Sequence, residues 1–379
     1  MPDLLRQEIA TAADLIVVKI GTRVLTTDQG LLDRERIETL AEELHQLREG
    51  GRKVVLVSSG AVGAGMGRLG LRQRPTDLAH LQAVAAVGQS SLVESYDQAL
   101  ARHGRHAAQI LLTAEDMDHR VRYLNVRNTL LTLLEYGALP IINENDTVAV
   151  DELQTTFGDN DRLAAAVTNL LRAPLLILLS DVDGLYDGDP SDPQARLIPT
   201  VTQINEAIVQ LAAPRGSGVG KGGMASKLEA AHIATAAGEN VIIANGHQPG
   251  TLARILAGET VGTLLVAQGQ TISSRKRWIA FTAQPRGRLL LDDGAVRAVR
   301  DQKRSLLPIG IVATEGHFQK GDVVALCHPS GQEFARGLTN YSSTEIARIQ
   351  GLKTSQLATT LAHSPYDEVV HRDNLALTG

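Results

Sequence analysis

The residues in this chain best suited to holding phosphate are two lysines set among glycines. The segment GSGVGKGGMASK, residues 216–227, surrounds Lys221 with small residues and ends on Lys227. A Walker A loop needs four residues between its outer glycines and a hydroxyl directly after its lysine. Here three residues separate Gly216 from Gly220, and Gly222 follows Lys221. This segment therefore contacts phosphate by another architecture, or it is a flexible surface loop. Its second half, Gly222, Gly223, Met224, Ala225 and Ser226, runs into the helical pattern of GGMASKLEAAHIATAAGE. The N–H groups at such a helix start favour an anion, and Lys227, about one turn inside, can fold back toward it.

Lys19 ends a strand-like apolar run, VVKIGT. A lysine there either meets an anion at the strand end or snorkels out to water. In VSSGAVGAGMGRLG, residues 57–70, Ser59 offers a hydroxyl, and Gly60 with the later glycines lets backbone N–H groups approach a ligand. INENDTVAVDE and FGDNDRLAAAV bring Asn143, Asn145, Asp146, Asp159, Asn160 and Asp161 between a strand and a helix. One of the last three is expected to cap that helix. Three in a row exceeds capping needs, and carboxylates with amides suit an ammonium group or a water-bound Mg²⁺. An amino-acid substrate fits this set better than a nucleobase. LLSDVDGLYDGDP, residues 178–190, places Ser180, Asp181 and Asp183 at a strand end. It lacks the closing glutamate of a calcium loop, which leaves a nucleotide-binding turn or a plain turn.

These residues need a frame that brings distant segments together. Apolar runs ending in polar or glycine residues (DLIVVKIG, KVVLVSSG, AAQILLT, LPIINEND, LLILLSDVDG, NVIIANG) alternate with helical patterns at 33–51, 77–103, 121–136 and 161–172. The alternation predicts an α/β fold, a doubly wound, mostly parallel sheet with helices on both faces. Ligands of such sheets bind at the C-terminal strand ends, where the polar residues named above fall. After residue 274 the character changes. GRLLLDDGAVRAV, LLPIGIVATEG and GDVVALCHPSGQEFARGL read as short strands of a small, mainly β domain, and the tail from about His363 shows little periodicity.

A chain of 379 residues exceeds one ordinary core, and the expected domains are 1–270 and 275–379. Charge supports that division. The first 274 residues carry 23 Lys and Arg against 32 Asp and Glu, whereas the remainder carry 14 against 10. No apolar run reaches membrane-spanning length, and the N-terminus has no signal-peptide pattern. The single cysteine, Cys327, excludes an internal disulfide and a cysteine-built metal site. A cytoplasmic protein is the expectation, with no membrane partner.

VVKIGTRVL, VSSGAVGAG, AAVGQS, INENDTVA, GDND, SDVDGLY, GVGKGGMASK and PGT, in that order, resemble the glutamate 5-kinases of the amino-acid-kinase family. The C-terminal stretch resembles the PUA domain carried by many bacterial members. The resemblance covers nearly the whole chain from about Asp14, and it implies an amino-acid-kinase fold. It also implies ATP-dependent phosphorylation of the 5-carboxylate of L-glutamate, the first step of proline biosynthesis, with proline as inhibitor. In the catalytic roles it places Lys19, Lys227, Asp159 and Asp161. Ser59, Gly60, Asp146 and Asn160 would bind glutamate. ATP would lie against Lys19, Ser180, Asp181, Lys221, Gly222, Gly223, Met224, Ala225, Ser226 and Lys227. Mg²⁺ would enter with ATP, and no metal-ligating residue of the protein is assigned. Further implications are functional coupling to glutamyl-phosphate reductase and a homodimer or homotetramer. Two positions depart from the family pattern: Ser180 and Lys221 stand where Thr is common. Two other readings compete, a kinase of a different acidic amino acid and an RNA-linked regulator acting through the PUA domain. The tail's small basic excess and a chain with only 3% aromatics argue against RNA.

Overall fold

Leu15–Ile20 is a run of six buried residues that forms the first strand, β1. A strand covered on both faces carries an almost uninterrupted apolar sequence, and LIVVKI departs from that only at Lys19. The same logic builds β2 (Lys53–Ser58), β4 (Leu139–Glu144), β5 (Leu175–Ser180) and β7 (Asn240–Asn245). Shorter or more exposed strands complete the set: β3 (Ala107–Leu112), β6 (Thr200–Val201) and β8 (Thr263–Leu265). The computed structural model describes residues 3–149, 159–212, 223–268, 274–361 and 366–378. Its contacts divide the chain into two units, Met1–Gln270 and Thr271–Gly379.

In the first unit the strand order is β3-β4-β2-β1-β5-β7-β8-β6. All pairings are parallel except β7 with β8. From β1 the chain moves to β2 and outward to β3, then crosses back to β5 on the other side of β1. The crevice at the C-terminal ends of β1 and β5 is thus a topological switch point.

Among the described residues, the helices of nine residues or more are α1 (Leu4–Ala12), α2 (Arg34–Glu49), α3 (Ala61–Leu69), α4 (Leu78–Ala101), α5 (Arg120–Glu135), α6 (Asp159–Leu171) and α7 (Gly223–Ala237). α2 buries Ile37, Leu40, Ala41, Leu44 and Leu47, one stripe at helical spacing, and Asp33 caps it by accepting from the Arg36 N–H. With β1, β2, β5 and α4 this stripe forms the main core.

The second unit holds a five-stranded sheet, order β10-β9-β11-β12-β13. Its strands are β9 (Gly287–Leu291), β10 (Ile311–Gly316), β11 (Val323–Cys327), β12 (Glu333–Thr339) and β13 (Val370–Leu377). Two readings of the sequence need correction here. The DDGAVRAV half of the first expected strand is a helix, Asp293–Arg300. The Asp292 side chain accepts from the Ala295 N–H, and Val296 and Val299 are buried three residues apart, a spacing that only a helix puts on one face. The tail is not featureless either, because β13 pairs antiparallel with β12. Its polar centre, HRDN, hides the alternation, as is common where a strand lies at a sheet edge.

Candidate active site

Lys19 is the penultimate residue of β1, 4% exposed, and its ammonium lies 2.6 Å from Asp161 Oδ1. Asp161 sits in the first turn of α6 and is 1% exposed. Its other oxygen, Oδ2, accepts the Ser226 hydroxyl at 2.8 Å and lies 3.5 Å from Lys227 Nζ. Lys227 is 7% exposed and also donates to the Gly223 carbonyl at 2.9 Å, so it does fold back along the first turn of α7. Burial alone would raise the Asp161 carboxyl. The two ammonium groups and the Ser226 hydroxyl outweigh it and hold the group below the usual carboxylate range. Burial, with Lys19 adding repulsion, lowers the Lys227 ammonium below the usual lysine range, although Asp161 and Asp181 oppose the shift.

One residue before Asp161, Asn160 faces a second polar group. Its Nδ2 donates to Ser59 Oγ at 2.9 Å and to Asn143 Oδ1 at 3.0 Å. Ser59 follows β2, and Gly60 turns the chain into α3 with φ of 106°, a conformation that strains any residue with a Cβ. Asn143 lies in β4 and donates from Nδ2 to Gln89 Oε1 of α4 at 2.8 Å. Asn160 and Asp161 are therefore not caps. Both lie inside the first turn of α6, where consecutive side chains point to different neighbours. Asn160 reaches toward β2 and β4, and Asp161 toward β1 and α7.

A third group lies at the mouth of β5. The Ser180 hydroxyl donates to Asp181 Oδ1 at 3.0 Å, and Arg23, after β1, donates to Asp181 Oδ2 at 2.7 Å. Asp181 is also held below the usual range, its partial burial outweighed by bonds from Arg23, its own backbone N–H and Ser180. Asp183 accepts from Asn245 and Gln248, each at 2.9 Å, which ties the turn after β5 to the one after β7.

Among the residues expected from sequence, Lys19, Asp161, Ser226 and Lys227 form one cluster, and Ser59 and Asn160 form its neighbour. Asp146 is buried on the turn after β4. Gly223, Met224 and Ala225 open α7, with Gly223 and Ala225 exposed. Lys221, Gly222 and the side chain of Asp159 lie outside the described residues. Sequence reasoning missed Gln89 and Arg23. The signal for Gln89 was present, a lone amide inside the small and apolar AAVGQS. Arg23 gave none, because an exposed arginine after a strand is ordinary. Among the described residues, no three His, Cys, Asp or Glu side chains gather where a metal could bind, and Asp161 already serves three donors.

A model of the amino acid kinase family matches residues 14–245, and a PUA domain model matches residues 287–361. A glutamate 5-kinase of Rhodopirellula baltica is 49% identical over 373 residues, covering 98% of this chain and 96% of its own. One from Synechococcus sp. (strain JA-2-3B'a(2-13)) is 52% identical over 371 residues, covering 97% of this chain and 100% of its own. Among solved structures, carbamate kinase from Giardia lamblia bound to AMP-PNP is similar with a TM-score of 0.47 at 19% identity. That likeness covers 68% of this chain and 100% of the other.

Proposed function

We propose, from the premise that this chain belongs to the amino acid kinase family and within it to the glutamate 5-kinases, that it transfers the γ-phosphoryl group of ATP to the side-chain carboxylate of L-glutamate. The observation that carries the reading is an excess of buried positive charge. Among the described residues, the buried ammonium groups of Lys19 and Lys227 both pair with one carboxylate, that of Asp161, at 2.6 and 3.5 Å, and Asp181 adds only a weaker attraction on Lys227. Buried charge is stable only when matched, so this cluster suits an anionic ligand.

The reaction needs little more. A carboxylate with a free pKa near about 4.3 is ionised at neutral pH, so no general base has to take a proton from it. The obstacle is repulsion between an anionic acceptor and a triphosphate. Lys19 and Lys227 lower it by facing the transferring group from β1 and α7, while Asp161 fixes both ammoniums in place. Ser59 and Asn160, with Asp146 on the turn after β4, hold the amino acid. Ser180, Asp181 and residues 221–227 hold the nucleotide. Mg²⁺ arrives on the ATP phosphates and neutralises part of their charge.

The product is an acyl phosphate that water destroys readily. This favours coupling to a reductase that consumes it in proline biosynthesis, and control by proline at or near the glutamate site. The reading extends to a cytoplasmic homodimer or homotetramer. The test is ATP-dependent hydroxamate formation with L-glutamate, L-aspartate and N-acetyl-L-glutamate as acceptors. Glutamate alone gives rapid product, and added L-proline slows it at sub-saturating glutamate. Equal rates with aspartate overturn the substrate assignment, and indifference to proline overturns the regulatory one.

A further inference from the structure

The hydrogen bonds around Asn160 have a direction, and its origin is a group that cannot be inverted. The backbone N–H of Glu144 donates to Asn143 Oδ1 at 2.9 Å. This decides which end of the Asn143 amide is oxygen. The same oxygen accepts Asn160 Nδ2, and the opposite end of the amide donates to Gln89 Oε1. Asn160 Nδ2 donates in turn to Ser59 Oγ. Having accepted, the Ser59 hydroxyl keeps its own proton for a further acceptor.

Gln89 anchors this chain at its far end. It is 7% exposed, and its Nε2 has no acceptor among the described residues. Burying an amide donor without a partner is unfavourable. Among the described residues, the one side-chain hydrogen bond of Gln89 is the acceptor oxygen that it presents to Asn143. Without that oxygen the Asn143 Nδ2 would be a buried donor with nothing to meet, and the Asn143 side chain would turn to find an acceptor. That turn would release Asn160.

We infer that Gln89 is a positioning residue for the amino-acid substrate. It holds the Asn143 amide, through it the Asn160 amide, and so the direction in which Ser59 offers its proton to a substrate carboxylate. The inference rests on the reading of this pocket as the glutamate site. Gln89 does not touch the cluster of Lys19, Asp161 and Lys227, so its effect belongs to substrate binding more than to phosphoryl transfer.

The test uses the full chain with Gln89→Met, which keeps length and volume and removes the acceptor. The expected result is a KM for glutamate raised on the order of tenfold, with the KM for ATP within about twofold of wild type, the effect of leaving one buried donor unpaired. Asn143→Ala raises the glutamate KM as well, and adding Gln89→Met to it changes nothing more, because the two act through one bond. A KM does not depend on the fraction of enzyme folded, and Gln89→Leu serves as the second variant if Met at this position yields little soluble protein. An unchanged glutamate KM in the single variant, or additive effects in the double variant, overturns the inference. Wild-type enzyme assayed alongside separates the two claims. No glutamate-dependent product from wild type takes down the glutamate reading and this inference together. Active wild type with indifferent variants takes down this inference alone.

Discussion

The carboxylate of Asp161 meets Lys19 with one oxygen and Lys227 with Ser226 through the other. Its lowered pKa means that the native carboxylate stays ionised where an unfolded one is protonated. The stability this adds is full above the usual carboxylate range and is lost as pH falls through the lowered value. Lys227 works in the opposite sense. Between its lowered pKa and the ordinary lysine value the unfolded chain holds a proton that the native chain has released, so stability rises with pH across that window. If the charged ammonium drives transfer, kcat/KM for ATP, which reports the free enzyme, falls as pH climbs through the lowered value. Asp161→Asn removes the carboxylate that opposes the shift. The alkaline limb of the kcat/KM profile is therefore expected to move to still lower pH, and a limb that stays in place or moves up contradicts this. Lys227→Ala is expected to lower kcat on the order of 10²-fold or more, as for loss of a transition-state donor. Single-turnover kinetics at saturating ATP and glutamate measure it, and a near-normal rate would remove Lys227 from the chemistry.

At the scale of elements, the Ser59 loop is held by close contact between α3 and α4. A Cβ on Gly88 would collide with the Ala61 carbonyl and the Gly65 amide, and one on Gly65 would collide with the Val84 carbonyl. Two helices approach this closely only where neither carries a side chain. Ala61 follows Gly60 directly, and Gln89 follows Gly88, so the contact sets the distance between the two ends of the amide chain. Gly88→Ala is expected to cost about 1–3 kcal/mol through overpacking and to raise the glutamate KM. Urea melts with parallel kinetics check both, and a stable variant with normal KM would show that the helices can part without disturbing Ser59. Gly65 was visible in sequence within a suspected anion loop, residues 57–70, whereas Gly88 was not. Their use as a notch between helices was not, because a contact between residues 61 and 88 depends on packing and not on local pattern.

Across the whole molecule, the described residues assigned here to catalysis and binding all belong to the unit Met1–Gln270. The second unit has its own sheet and its own core, built on Leu289, Val324, Leu326, Ile346 and Val370. A chain ended after residue 270 is expected to keep glutamate-dependent phosphoryl transfer. Loss of transfer from a truncated chain that still melts cooperatively would show that the C-terminal unit contributes to the reaction. No helix among the described residues is long and apolar enough to cross a membrane.

Local chemistry determined much of this protein before any packing was known. Short apolar runs rich in Ile and Val and closed by glycine, such as LIVVKIG, favour buried strands. Their alternation with amphipathic helices leaves a parallel sheet as the ready solution, with ligands at its C-terminal edge. A lysine inside such a run, and Asn and Asp crowded at strand ends, mark that edge as polar by intent. Tertiary structure decided what those groups face. Asn160 and Asp161 are adjacent in sequence, yet they look to different strands because the helix rotates successive side chains by about 100°. Asp161 is joined to Lys19 across more than a hundred residues and to Lys227 across more than sixty, distances over which local preference carries no information. Gln89 became part of the site only when α4 set its amide against β4. The direction of the chain it anchors comes from one backbone N–H, that of Glu144, whose polarity no side chain can reverse.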